Sequence, residues 1–357
     1  MNLKGELPAI YGWGSYIPVY RIKLDEIARA WGNDPAEIKR GLQVEEISVK
    51  GPDEDQVAIA VNAAWNALRR APEVSPKDIG AVYVGSESKP YAVKPTATIV
   101  AAAVGAPVTI RAADYEFACK AGTEAVISVI AQVASGMIKY GLAIGADTSQ
   151  SWPGDVLEYT AGAGGSAFVI GPKSTTSVAY FESQYSVATD TPDFWRRDEI
   201  KYPRHMGRFT GEPAYFKHIM LAANELMSRE GLKPSDFDYF VPHQPNGTFP
   251  IRVALRLGFK LEQVKPGLIS PWVGNLYSGS SLTGLSRVLD KAKPGQRILL
   301  VSYGSGAGAD AFSIVTQEAI EEKKRLAPTV DDYINRKKYI DYSTYLRFWG
   351  KIYGVRL

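Results

Sequence analysis

Two kinds of hydrophobic pattern alternate along this chain. Apolar residues at helical spacing predict helices over 55–71, 214–231 and 282–292, and a further helix that begins near Ala121. Short apolar runs next to glycine or proline predict buried strands within 76–85, 140–146, 234–243 and 297–305. Because strands and helices alternate, the pattern favours an α/β fold whose mainly parallel sheets are covered by helices.

The same elements recur as two copies. Residues 76–85 resemble residues 234–243, and each segment follows a predicted amphipathic helix. Residues 140–146 resemble 297–305 at nearly the same spacing along the chain, and residues 274–279 take the place of the segment around Cys119. Similarity at one spacing over three elements predicts two related halves. We expect these halves to be residues 1–172 and 173–357.

Polar residues follow the predicted strands in both halves. Each is expected directly after a strand, and they are Glu87, Cys119, His243, Asn275 and Ser305. Ligand sites in such folds lie at the carboxyl ends of strands. A pseudo-twofold arrangement of the two halves would therefore bring all five side chains to one centre.

Cys119 is the only cysteine of the chain, and it directly precedes the helix that begins near Ala121. The positive end of a helix favours a thiolate, which is the nucleophilic form of cysteine. A small buried hydrophobic residue is the alternative interpretation of a lone cysteine.

Glu87 and His243 carry the groups that could move protons. A glutamate after a strand is either a solvated loop charge or, if it is enclosed, a general base with a raised pKa. His243 is either structural or, opposite Cys119 in the repeat, functional. The glycine-rich segment 303–308 is either a tight turn or part of an oxyanion hole, and it lacks the Gly-Lys-Ser/Thr ending of a phosphate-binding P-loop.

Composition mainly excludes classes of function. A net charge of +3 without a dense basic block does not suggest a nucleic-acid partner. No uncharged apolar stretch reaches the roughly 18 residues of a membrane span. One cysteine and three histidines, spread over the sequence, disfavour a thiolate metal site. Since a single cysteine cannot form an internal disulfide, we expect an intracellular, cytoplasmic location.

Several longer motifs resemble one known family over nearly the whole length of the chain. They include Gly14-Ser15-Tyr16-Ile17-Pro18, Gly85-Ser86-Glu87-Ser88, Phe117-Ala118-Cys119-Lys120-Ala121-Gly122, Gly207-Arg208-Phe209-Thr210-Gly211-Glu212-Pro213, His243-Gln244-Pro245-Asn246-Gly247 and Tyr303-Gly304-Ser305-Gly306. With these motifs the chain resembles the hydroxymethylglutaryl-CoA synthases of the archaeal type, in the thiolase superfamily.

The resemblance implies a fold and a reaction. The fold is a thiolase-like, five-layered αβαβα sandwich of two pseudo-twofold-related halves. The reaction condenses acetyl-CoA with acetoacetyl-CoA in the mevalonate pathway of isoprenoid biosynthesis, and it uses no cofactor beyond these substrates. Cys119 would carry the acetyl group, Glu87 would remove the methyl proton, and His243 would orient and protonate the second substrate.

The resemblance also implies the positions that contact substrate. These are Asp34, Thr160, Thr210, Arg252, Asn275 and Ser305. A basic residue that meets the CoA phosphates is typical of the family five places after the histidine, and here that CoA-binding position is Thr248. Arg252 is expected about one helical turn further on.

Two other functions remain open at this point. A single-chain, initiating ketoacyl-acyl-carrier synthase (type III) also uses cysteine, histidine and asparagine, but its decarboxylative chemistry needs no base like Glu87. A non-catalytic thiolase-fold scaffold is the other. A two-cysteine thiolase is excluded because the chain has one cysteine.

The family resemblance implies partners as well. It implies a homodimer, with an acetoacetyl-CoA thiolase and a small zinc-bearing OB-fold protein as further partners. The tail, residues 328–357, is rich in tyrosine and basic residues, and it packs either on the chain itself or on such a partner.

Overall fold

The computed structural model describes residues 7–352. The first six residues of the predicted N-terminal half and the last five of the predicted tail therefore lie outside the described residues. The strands are β1 (Pro8–Tyr16), β2 (Tyr20–Lys23), β3 (Glu46–Val49), β4 (Ile79–Gly85), β5 (Arg111–Tyr115), β6 (Tyr140–Thr148), β7 (Ala163–Pro172), β8 (Ala179–Thr191), β9 (Phe194–Trp195), β10 (Arg204–His205), β11 (Tyr239–Pro242), β12 (Arg297–Val301), β13 (Gly306–Thr316) and β14 (Lys338–Tyr339). The helices are α1 (Leu24–Ala30), α2 (Pro35–Leu42), α3 (Gln56–Arg69), α4 (Thr96–Val104), α5 (Ala121–Ala134), α6 (Phe216–Glu230), α7 (Thr248–Leu257), α8 (Leu261–Val264), α9 (Ser270–Val273), α10 (Ser280–Leu289), α11 (Ile320–Lys323), α12 (Val330–Asn335) and α13 (Tyr342–Phe348).

Nine of these strands form one continuous sheet in the order β11-β12-β13-β8-β1-β7-β6-β4-β5. The order confirms the predicted repeat, because β4, β6, β7 and β1 of one half match β11, β12, β13 and β8 of the other. Within this described sheet, the halves pair through two residue pairs between β1 and β8. The expectation of mainly parallel pairing is wrong. In this sheet, parallel pairs are confined to β4–β5, β4–β6 and β11–β12, since the strands nearest the junction return antiparallel.

Helices cover both faces of each half of the sheet. Alternate residues of β12 show this: Ile298 and Leu300 join the central core with α5 and α10, whereas Leu299 and Val301 join the core under α6 and α7. On β4, Tyr83 faces the central core and Val84 faces the core under α3 and α4. The alternation follows from the period of two along a strand. It produces the expected five layers, with α5 and α10 in the middle.

One strand of the repeat has no counterpart. β5 precedes the Cys119 segment, but the equivalent Asn275 follows the short helix α9. The expectation that Asn275 stands directly after a strand is therefore wrong. Its backbone is held by the Thr160–Gly162 segment instead: the Asn275 N–H donates to the carbonyl of Thr160 over 2.6 Å, and the Gly162 N–H donates to the carbonyl of Asn275 over 3.0 Å.

The described part of the tail packs on the chain's own N-terminal half. β14 pairs with β2, and β2 pairs with β3. Tyr345 of α13 is 1% exposed and joins a small core with Ile22 and Ile47. Of the two expectations for the tail, the structure has the one in which it packs on its own chain.

Within residues 7–352, the structure contains no helix with the length and apolar character that crossing a membrane requires.

Candidate active site

A cavity lies where the two halves meet at the carboxyl ends of their strands, with about 90 Å³ open to the centres of water-sized spheres. It is lined by Cys119, Leu157, Phe194, His205, Thr210, Tyr215, His243, Pro245, Phe249, Asn275, Tyr277, Tyr303 and Ser305. Of the five residues that the repeat predicted at one centre, four line this cavity, and the fifth, Glu87, lies beside the Cys119 thiol. The wall is mostly apolar with a few polar groups, which is typical of a small-molecule site.

Cys119 stands at the start of α5, as predicted, and is 8% exposed. The preceding residue, Ala118, has a φ of 44°, a left-handed conformation that costs an alanine free energy. This turn aims the thiol into the cavity. Within the described part of the chain, no acceptor binds the backbone N–H of Cys119 or of Ser305. Both N–H groups are therefore free to donate to a substrate oxygen.

Glu87 follows β4 and approaches the thiol. Its Oε1 lies 3.6 Å from the Cys119 Sγ. Burial, together with the charge of Asp147, raises the pKa of Glu87 well above its usual value. Burial and the charges of Glu87 and Asp147 likewise raise the pKa of the Cys119 thiol. The expectation of a thiolate favoured by the helix end is therefore wrong for the unliganded site, and a base must take the proton from the thiol.

Asp147, at the end of β6, holds this region together, and the sequence pattern did not reveal it. It is fully buried and accepts hydrogen bonds from the Ser86 hydroxyl, the Glu87 N–H and the Ser88 hydroxyl. Its second oxygen accepts from the N–H and hydroxyl of Ser278, just before α10. Asp147 thus joins the Glu87 turn to the middle layer of helices.

Asn275 is fixed on all sides. Its side-chain oxygen accepts from the Tyr277 N–H over 2.8 Å, and its side chain lowers the pKa of the Cys119 thiol against the effect of burial. Gly274 has a φ of 76°, and a Cβ there would lie 2.6 Å from the Thr160 carbonyl oxygen, so only glycine fits before this asparagine. The amide therefore faces the nucleophile with little freedom.

His243 follows β11 and is 1% exposed. Burial lowers the pKa of His243 to about 3, so the imidazole is neutral near pH 7. Its Nδ1 is buried without a hydrogen-bond partner among the described residues. The Tyr215 hydroxyl donates to the backbone carbonyl of His243 over 2.6 Å and anchors the residue. A neutral, unpartnered imidazole in the cavity wall can donate or accept one hydrogen bond to a substrate.

The loop that carries Ser305 is pinned by a buried carboxylate. Asp193 accepts from the Tyr303 hydroxyl over 2.5 Å and from the Gly306 N–H over 2.9 Å. Asp193 therefore holds Tyr303 and Gly306, which lie on either side of Ser305, through one carboxylate. Asp193, Tyr215, Tyr277 and His205 are site residues that sequence reasoning missed or ranked low, because no repeat or local motif marks them.

The other expected contact residues have different positions. Thr210 lines the cavity, whereas Thr160 contributes through its backbone carbonyl to Asn275. Asp34 caps the N-terminus of α2, where its carboxylate accepts from the Ala36 N–H. Arg252 is exposed on α7. The Thr248 hydroxyl, at the start of that helix, donates to the Gly41 carbonyl over 2.8 Å and ties α7 to α2.

A search of the described residues for metal-binding groups found no cluster of three or more histidine, cysteine, aspartate or glutamate side chains.

Two family models match the two halves. Residues 49–154 match the thiolase N-terminal domain, and residues 227–315 match the C-terminal domain of 3-oxoacyl-[acyl-carrier-protein] synthase III. Solved structures agree on the fold. MvaS in complex with 3-hydroxy-3-methylglutaryl coenzyme A aligns with a TM-score of 0.84, covering 96% of this chain and 92% of that chain at 23% identity. The 3-oxoacyl-(acyl carrier protein) synthase III from Pseudomonas aeruginosa aligns with a TM-score of 0.77, covering 87% and 98% at 22% identity.

Curated relatives are much closer in sequence. The hydroxymethylglutaryl-CoA synthase of Methanothermobacter thermautotrophicus is 60% identical, covering 97% of this chain and 99% of the relative. The one from Methanopyrus kandleri is also 60% identical and covers 98% and 99%, and that of Pyrococcus horikoshii is 59% identical and covers 95% of both. With this identity over nearly its whole length, the chain belongs to the archaeal-type hydroxymethylglutaryl-CoA synthase family.

Proposed function

We propose that this chain condenses acetyl-CoA with acetoacetyl-CoA to give hydroxymethylglutaryl-CoA, a step of the mevalonate pathway. Family membership supports the reaction. The observation that carries the mechanism is the 3.6 Å approach of the Glu87 carboxylate to the only cysteine, in a cavity that His243 also lines.

The first step is transfer of the acetyl group to Cys119. The thiol has a raised pKa, so Glu87 takes its proton as the sulfur attacks the thioester carbonyl. The free N–H groups of Cys119 and Ser305 donate to the oxyanion that forms. Each such donor typically contributes about 3 kcal/mol to the transition state. CoA then leaves as its thiol, and acetyl-Cys119 remains.

The second step forms the carbon–carbon bond. Glu87 removes a proton from the methyl group of acetyl-Cys119, and the resulting carbanion attacks the ketone of acetoacetyl-CoA. His243 is neutral, so it donates a hydrogen bond that orients this ketone, passes that proton to the alkoxide and takes one back from solvent. Hydrolysis of the thioester on Cys119 releases the product.

The phosphates of CoA need partners other than the Thr248 hydroxyl, which is engaged with Gly41. The exposed Arg252, on the first turns of the same helix, supports the assignment of this surface to CoA. Asp34 and Thr248 both belong to the α2–α7 contact, next to this surface. Substrate contacts of Asp34, Thr160, Thr210, Arg252, Asn275 and Ser305 are part of the same proposal.

The chain works as a homodimer in the cytoplasm under this proposal. Within the described sheet β5 has a free edge, and the exposed Val108 lies three residues before this strand, which supports a self-contact there. The family resemblance suggests an acetoacetyl-CoA thiolase and a small zinc-bearing OB-fold protein as further partners. Co-purification from cells, followed by mass determination of the complex, tests both statements.

The enclosed base separates this function from its two rivals. A decarboxylating ketoacyl-acyl-carrier synthase does not need a carboxylate beside the nucleophile, and a non-catalytic scaffold needs neither group. The position of Glu87 therefore supports the synthase over both.

Mass spectrometry of the intact protein after mixing with acetyl-CoA tests the proposal. The unaltered protein should gain one acetyl group, about 42 Da, and Cys119→Ala should gain none. Glu87→Ala should still be acetylated, although more slowly, because Glu87 no longer takes the thiol proton. Its condensation rate, followed by the loss of acetoacetyl-CoA, should fall by about three orders of magnitude. Condensation that continues unchanged in Glu87→Ala would contradict the base assignment.

His243 has its own test. In His243→Ala, the binding of acetoacetyl-CoA should weaken by about tenfold or more, because the buried donor for its ketone is lost. Calorimetric titration measures this, and unchanged affinity would rule out the orienting role.

A further inference from the structure

A second, much smaller cavity reaches Glu87 by a different route, with about 20 Å³ open to the centres of water-sized spheres. It is lined by Glu87, Ser88, Ser149, Gln150, Arg196, Pro203 and Tyr277. Tyr277 also lines the larger cavity with Cys119, so the two spaces share this residue. The thiol is thus reached from one cavity and its neighbouring carboxylate from the other.

Several polar groups line this second cavity, although more of its wall is apolar than polar. Two serines, one amide and one guanidinium face it, with a single proline and the tyrosine ring. Among the described residues, the Gln150 side chain has no hydrogen-bond partner. A water molecule needs about 10–15 Å³ of such space and two to four polar partners when it is enclosed. The cavity therefore has room for about one water molecule and is too small for an acyl chain.

The inner wall is rigid and the outer wall is not enclosed. Ser88 is held because its hydroxyl donates to Asp147, and the Ser149 hydroxyl donates to the Asn275 carbonyl over 3.1 Å. Arg196, between β9 and β10, is exposed, and its side chain donates to the Ile200 carbonyl over 3.1 Å. Solvent therefore meets the cavity at Arg196, and the carboxylate stands at its inner end.

We propose that this second cavity holds the water that hydrolyses the acyl-Cys119 thioester. The proposal rests on the proposed function, because it concerns the last step of that reaction. The water oxygen forms a bond to the thioester carbonyl carbon as Glu87 takes one of its protons. The carbon–sulfur bond then breaks, and Glu87 returns the proton to the Cys119 sulfur, 3.6 Å away. A carboxylic acid product and the free thiol result.

Arg196 has a second effect at this position. Four charged or titratable groups act on Glu87: Asp147 from β6, Cys119 before α5, Glu116 after β5, and Arg196. Arg196 is the cation among them, and its charge lowers the pKa of Glu87 against the effect of burial. It is a positioning residue that keeps the carboxylate ready to accept a proton from water.

Filling the cavity tests the water site. In Gln150→Phe, acetylation of Cys119 by acetyl-CoA should stay within about twofold of the unaltered protein. With both substrates present, the hydroxymethylglutaryl-enzyme adduct should accumulate in the intact mass, and kcat should fall by about tenfold. Gln150→Leu, which keeps the volume but removes the amide, should show a smaller accumulation of the same adduct, and it serves if the phenylalanine variant does not fold.

Two other results would contradict the water site, and a third would contradict the proposed function. Loss of acetylation in a folded Gln150→Phe would make the cavity an acyl pocket, and an unchanged adduct level in both variants would mean that water enters elsewhere. If the unaltered protein is not acetylated at all, the proposed function fails instead.

Arg196→Met tests the charge. With the cation gone, the pKa of Glu87 rises further, so the acidic limb of the pH–kcat profile should move to higher pH, each unit of the move being a tenfold lower acid dissociation constant. Arg196→Lys should restore the profile. Arg197→Met is the matched control, because Arg197 is a neighbouring exposed arginine that does not line this cavity. A shift in the Arg197 variant equal to that in Arg196→Met would contradict the assignment.

Discussion

Burial shifts three side chains of the site toward their neutral forms. It raises the pKa of Glu87 and of the Cys119 thiol and lowers the pKa of His243 to about 3. A carboxylate with a raised pKa is a stronger base, so ionised Glu87 can take the proton that the thiol gives up. The Cys119–Glu87 pair then carries one negative charge, which moves between the two groups as the proton is transferred.

Glu87→Gln should stabilise the protein while it abolishes condensation. The carboxyl has a raised pKa in the folded state, so its ionisation at neutral pH opposes folding, and an amide of the same size removes that cost. We expect the free energy of unfolding at pH 7 to rise by about 1 kcal/mol in urea titrations. At pH 4, where the carboxyl is protonated in both states, the gain should vanish, and a gain that persists there would contradict the explanation.

His243 should make the stability of the protein depend on pH in the opposite sense. Its folded pKa of about 3 lies below the unfolded value of 6.5, so only the unfolded chain takes up this proton as the pH falls through that window. The contribution of neutral His243 to the free energy of unfolding is therefore fully present above pH 6.5. It is lost as the pH falls below that value, by up to about 1.4 kcal/mol per pH unit. Urea unfolding of the protein and of His243→Gln at pH 7, 6 and 5 measures the difference. If the free energies of unfolding of the two proteins change equally with pH, the imidazole of His243 is not the source of the pH dependence.

Sequence reasoning found the residues of the site that have a local signature and missed the ones that act at a distance. Cys119, Glu87 and His243 each stand at the end of a recognisable strand or the start of a helix. Asp147 has no such mark, because its importance comes from Ser86 and Ser278, which are far from it in sequence. The helix that follows Cys119 is visible in the sequence, and it predicted a lowered thiol pKa. The burial and the two nearby carboxylates that raise the pKa are visible only in the structure.

At the scale of elements, the middle layer is joined by direct backbone contact. Gly122 of α5 and Gly145 of β6 both lie against the Ser278 carbonyl, just before α10. The sequence predicted α5, α10 and their repeat, because hydrophobic spacing encodes them. It did not predict that the second half lacks a strand equivalent to β5. Whether a segment joins the edge of a sheet depends on tertiary contacts, which the hydrophobic spacing does not encode.

Gly122→Ala tests this contact. Alanine normally favours a helix over glycine by about 0.5–1 kcal/mol. Here its Cβ would lie 2.5 Å from the Ser278 carbonyl oxygen, so we expect a loss of about 1–3 kcal/mol and a lower acetylation rate of Cys119. Gly41→Ala in α2 is the control, because nothing lies within 4 Å of the added carbon, and it should be stabilising. Thermal unfolding compares the two variants, and a stable Gly122→Ala would contradict the close packing.

At the scale of the whole molecule, the tail is fastened by a buried ion pair. Lys351 Nζ lies 3.1 Å from Glu158 Oε1, and the two side chains are 2% and 0% exposed. Glu158 belongs to the segment Val156–Tyr159, which also supplies Leu157 to the wall of the active-site cavity. The end of the chain therefore holds one wall of the site in place.

Lys351→Met should destabilise the protein by about 3–5 kcal/mol, because it leaves the buried Glu158 without its cation. Adding Glu158→Gln should recover part of this loss, since the unpaired charge is then gone. Chemical unfolding of the two single variants and the double variant gives the coupling energy. Strictly additive effects would show that the two groups do not interact.

The pairing of β14 with β2 joins residues near the two ends of the chain. During synthesis, the strand near the beginning leaves the ribosome long before its partner exists. At about 5–20 residues per second, the N-terminal half waits tens of seconds with β2 open on that side. The order of translation therefore leaves this part of the site unsupported until β14 and Lys351 have been made, and before then Glu158, beside the cavity wall, lacks its cation.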